Sequence, residues 1–81
     1  MKFTVIWSVA AQDQLADVWL ASPNRGAVTL AQHQIDQLLR VDPDLRGMPF
    51  FGDRILVLPP LRVVFHINPD DMIVEVQEVW E

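Results

Sequence analysis

The sequence has no cysteine, and this removes disulfides, thiolate nucleophiles and cysteine zinc sites from consideration. A reducing compartment fits that composition. No run approaches the ~18 uninterrupted apolar residues of a membrane span. The opening stretch MKFTVIWSVAAQDQ turns polar too soon for a signal peptide. The expectation is a soluble, cytoplasmic protein. Cations are scarce: 6 Lys+Arg stand against 11 Asp+Glu, for a net charge of −5, which weighs against broad binding to nucleic-acid phosphates. There is no internal repeat, linker or low-complexity tract. His33 has no second ligand at metal spacing (i, i+4) beside it, and neither metal nor cofactor is expected.

What remains is 81 residues at 51% hydrophobic, enough for one small domain over 1–81 with a real core. Residues 2–7 alternate: Phe3, Val5 and Trp7 fall on one face, and Lys2, Thr4 and Ile6 on the other. This predicts a strand. Ser8 is a plausible N-cap for a first helix ending near Ala21, with Ala11, Leu15, Val18 and Trp19 on one side. Ser22-Pro23 is a second start signal. Val28, Ala31, Ile35, Leu38 and Leu39 predict a second amphipathic helix reaching Val41. Residues 42–52, with two prolines and two glycines, read as a loop. Strands are expected over 54–58, 61–67 and 72–80, separated by Pro59-Pro60 and by the turn Asn68-Pro69-Asp70-Asp71. The fold class is therefore α+β, in the order β-α-α-β-β-β. A mainly antiparallel four-stranded sheet should carry the helical hairpin on one face.

Leu61, Val63, Phe65 and Ile67 share the core face of the third of these strands, and Arg62, Val64 and His66 share the other. A four-residue turn over 68–71 would set Ile67 opposite Met72, Val64 opposite Glu75 and Arg62 opposite Gln77. Glu75 would then be a diagonal neighbour of both Arg62 and His66. A guanidinium suits phosphate, and a histidine with an orienting carboxylate suits proton transfer in RNA cleavage. The same residues also suit a plain charge pair on a solvated sheet face, worth about 0.2–1 kcal/mol. Arg46, in its Gly-Pro loop, and Trp80, near the end of the last strand, are candidates for partner contact. An edge strand leaves a homodimer open.

Four stretches carry a family likeness: FTVIWSVAAQDQLADVW, LRGMPFFGDRIL, LRVVFHI and VEVQEVW. Together they resemble the RelE/ParE superfamily of toxins from type II toxin–antitoxin pairs, including plasmid stabilisation proteins, over nearly the whole chain. The resemblance implies a cognate antitoxin. It also implies one of three activities: ribosome-dependent, metal-independent mRNA cleavage, inhibition of DNA gyrase by binding, or none, as in non-toxic relatives. It places Arg62 on a phosphate-binding arginine of the central strand. Arg54 and Arg62 become candidates for nucleic-acid contact, and Arg62, His66 and Glu75 candidates for catalysis. Asp53 and Ile55 stand where the RNase branch often carries two lysines.

Overall fold

The computed structural model describes residues 2–81. Strand β1 (Thr4–Trp7) leads into helices α1 (Val9–Ala21) and α2 (Arg25–Leu39). A 3-10 turn (Pro43–Leu45) follows, and then strands β2 (Met48–Phe50), β3 (Asp53–Leu58), β4 (Leu61–Asn68) and β5 (Ile73–Trp80). The sheet order is β1-β5-β4-β3-β2. Neighbours are antiparallel except β1, which lies parallel to β5 because the helical pair returns the chain across one face.

The sheet has five strands rather than the four expected. The extra one, β2, lies inside the stretch read as a loop. Its Pro49 is tolerable because β2 is an edge strand, with a partner on one side only.

Ser8 caps α1 as expected: its hydroxyl accepts from Ala11 N–H at 3.0 Å and donates to the Gln77 carbonyl at 3.4 Å. Helix α2 begins later than the Ser22-Pro23 signal suggested. Asn24 is its cap, accepting from Ala27 N–H at 3.0 Å, while Ser22 receives Asn24 N–H. Ala11, Val28, Ala31, Ile35 and Leu39 from the helices meet Val5, Leu61, Val63, Phe65, Val74, Val76 and Val79 of the sheet in one buried core. Beyond the end of β1, the Gln14 side chain accepts Val79 N–H at 2.7 Å and so covers the exposed edge of β5. Ser8→Ala removes a cap that also ties α1 to β5. It is expected to cost about 1–2 kcal/mol, read as a lower urea midpoint with an unchanged slope.

Candidate functional site

The sheet face away from the helices carries the sequence-predicted residues. Arg62 and His66 project from β4 with their side chains exposed, and Val64 between them is 4% exposed. The register differs from the expectation. Asn68 belongs to β4, and Ile73 lies opposite it, so the turn occupies residues 69–72. His66 faces Glu75 directly, and a bulge near Gln77 then shifts the pairing so that Val64 faces Glu78 and Arg62 faces Trp80. A bulge places two residues of one strand against one of the other and increases the local twist.

Glu75 is therefore the cross-strand neighbour of His66 and not a diagonal neighbour of Arg62. Arg62 and His66 stand four residues apart on one strand, roughly 13 Å at strand rise. The Arg62 guanidinium turns the other way. It lies over the Trp80 ring at 5.4 Å from the centroid, and it donates to the Glu81 carbonyl. The structure thus brings His66 beside Glu75 and holds Arg62 with Trp80.

His66 has a second acidic neighbour that the sequence pattern alone did not single out. Its Nδ1 lies 2.8 Å from the Asp53 carboxylate. The signal was present: the two-residue Pro59-Pro60 turn pairs Leu58 with Leu61, and counting back along both strands sets Asp53 beside His66. Asp53 thus reaches the imidazole from β3, and Glu75 stands opposite His66 in the register of β5. Gln77 donates to Glu75 at 3.4 Å. This trio can orient a histidine and pass a proton. No cation stands in the row beside it.

Arg54 and Arg46 face elsewhere. Arg54 lies opposite Phe65, on the core side of the sheet. Its Nε donates to the Arg46 carbonyl at 2.8 Å and its Nη2 to the Gly47 carbonyl at 3.2 Å. Arg46 in turn donates to the Leu38 carbonyl at 3.2 Å and the Val41 carbonyl at 3.3 Å, which compensates the negative end of α2. The two arginines staple the loop before β2 to the helix.

The remaining arginines are also engaged. Arg25 donates to the Trp19 and Leu20 carbonyls at 3.1 and 3.0 Å and lies over the Trp19 ring at 4.7 Å. Arg40 holds Asp36 at 2.8 Å. Each of the five arginines thus donates to a protein oxygen. The open face of the sheet presents apolar Ile6 and Val57, exposed at 42% and 57%, around its few polar groups.

No protein-family model and no curated protein matches the sequence. Solved structures do match. A chain of the RelBE2 toxin–antitoxin complex from Mycobacterium tuberculosis aligns with a TM-score of 0.82 at 18% identity, covering 100% of this chain and 92% of that one. A chain of the chromosomal ParDE toxin–antitoxin system of P. aeruginosa aligns at 0.76 and 20% identity, covering 96% and 94%. A mutant of the E. coli toxin RelE in the free state aligns at 0.60 and 20% identity, covering 100% and 84%. The chain has the RelE/ParE toxin fold. The structural likeness runs the length of the chain, as the four sequence stretches implied.

Arg62→Ala is expected to change stability by less than about 1 kcal/mol, since it removes one exposed cation–π contact and one rim hydrogen bond. A thermal melt of the purified variant checks this. A near-neutral result makes the substitution a clean probe of function.

Proposed function

We propose that this chain is the toxin component of a type II toxin–antitoxin pair, working in the cytoplasm with a cognate antitoxin. It acts by binding a target rather than by cutting RNA. The observation that carries the second statement is the engagement of all five arginines by the protein's own oxygens. RNA cleavage needs free cations to hold phosphate and to offset charge in the transition state. Here the net charge is −5, and the one arginine on the open face lies over an indole. DNA gyrase is the target that the family resemblance implies for this mode.

One observation favours the RNase reading: His66 between Asp53 and Glu75 has the parts for proton transfer. In that reading Arg62, released from Trp80, binds phosphate, and His66 and Glu75 move the proton.

Induced expression in bacteria, with rates of DNA and protein synthesis followed over the first minutes, separates the two. The binding reading expects arrest in which DNA synthesis falls first and which Arg62→Ala and His66→Gln leave intact. A prompt fall in protein synthesis that Arg62→Ala abolishes supports cleavage instead. Growth unaffected by a folded wild-type chain removes the toxin assignment.

A further inference from the structure

The β2–β3 hairpin ends in Phe51-Gly52, with φ +49° and +85°. Two successive left-handed residues are the pattern of a type I′ hairpin turn, which Asn-Gly or Asp-Gly fills without strain. A phenylalanine there is disfavoured, because its Cβ crowds the backbone. Phe51 is also 94% exposed, so its ring gains almost no burial. It rests edge-on against Phe50, with centroids 4.9 Å apart and planes at 80°, which holds it in one direction. A strained residue that gives the fold little in return is the kind of outlier from which function is inferred.

The surroundings narrow what the ring meets. Phe50 lies opposite Asp53, in the same row as His66 and Glu75, and Met48, opposite Ile55, is 63% exposed. The aromatic tip is thus continuous with the open face. The polar groups nearest to it already have partners: His66 Nδ1 lies 2.8 Å from the Asp53 carboxylate, and Arg54 donates to the Arg46 and Gly47 carbonyls. No unengaged arginine stands beside it to meet a phosphate backbone. Strand addition along β2 is blocked as well. In a two-residue hairpin closed by the Phe50–Asp53 pair, residue 49 points its backbone N–H outward, and that residue is proline.

We infer that Phe51 is a preset anchor that inserts into an apolar pocket of the protein target. The inference rests on the binding mode proposed above. Contact is by side chain, not by strand pairing and not by phosphate recognition. Buried aromatic anchors of this kind dominate the energy of the interfaces they enter.

The test compares the wild type with Phe51→Asn and Phe51→Tyr, each as the full chain, by thermal melting and by titrated expression in bacteria with messenger RNA integrity followed. Asn accepts the left-handed backbone, so Phe51→Asn is expected to melt no lower than the wild type. The dose it needs for growth arrest should rise about 30-fold or more, the loss of one hot-spot side chain. Phe51→Tyr keeps the ring and should keep the arrest. Arrest by Phe51→Asn at the wild-type dose overturns the anchor and leaves the toxin reading standing. A melting point lowered by more than about 4 °C makes the ring structural and also overturns it. Phe51-dependent cutting of messenger RNA makes the ring a base-stacking platform and overturns the protein pocket. A folded wild type without effect on growth overturns both the toxin reading and the anchor built on it.

Discussion

Phe65→Ala is expected to destabilise the chain severely. Phe65 lies at the centre of β4, fully buried, between Arg54 of β3 and Val76 of β5 in the strand register. It is among the largest side chains in the core that joins both helices to the sheet. Truncation to alanine removes the ring's burial and leaves a cavity, about 3–5 kcal/mol together. A chain this size has a total stability of roughly 4–12 kcal/mol, so the loss takes a large share of it. The urea midpoint should fall by about 2–4 M. A fall below about 0.5 M would mean that the core collapses around the gap far better than its packing suggests.

Gly47→Ala should be the most damaging of the glycine substitutions, and Gly52→Ala a mild one. Both positions have positive φ, +62° and +85°, so alanine pays a left-handed penalty of about 1–2 kcal/mol at each. Their surroundings differ. A Cβ at Gly52 meets nothing within 4 Å, whereas one at Gly47 overlaps the Ile55 carbonyl of β3. That carbonyl is backbone and cannot step aside without opening the β2–β3 pair. The Arg54 bonds to the Gly47 and Arg46 carbonyls would then break as well. The total for Gly47→Ala is about 3–5 kcal/mol. Paired thermal melts check it: the Gly47 variant should lose at least twice the melting temperature lost by the Gly52 variant. Equal losses would mean that backbone conformation alone sets the cost.

The elements were legible because their periods are clean. Val28, Ala31, Ile35 and Leu39 mark one face of α2, and Leu61, Val63 and Phe65 mark one face of β4. The strand β2 was hidden by its own composition. Pro49 between Gly47 and Gly52 signals a loop, and only an edge position makes the same residues a strand. The register of β4 with β5 was harder. Asn68 looks like turn chemistry, and it does accept Asp71 N–H at 3.2 Å, yet its backbone still pairs with Ile73. The bulge left a trace in the spacing of the buried residues: Val74, Val76 and Val79 are two and then three apart, where an unbroken strand keeps two. The shifted turn alone would set Arg62 opposite Val79 instead of Gln77, and the break in the valine spacing marks the one further step to Trp80.

The candidate site was legible as a face but not as a set of partners. Alternation alone put Arg62 and His66 on the open side. It could not say that Arg62 turns to Trp80, or that Asp53 reaches His66, because both depend on pairing between strands. Nor could it say that Arg46 and Arg54 are spent on backbone carbonyls. Those bonds arise from the folding of the loop before β2 onto α2. Counting cations overstated what was free to bind phosphate.

The central claim, that this toxin fold works here without cutting RNA, is tested most directly by mapping messenger RNA ends minutes after induction of the wild type and of Arg62→Ala. The account predicts growth arrest with no new ends in either, and equal arrest in both. New cleavage ends in the wild type that vanish with Arg62→Ala would contradict it and return Arg62 to a phosphate.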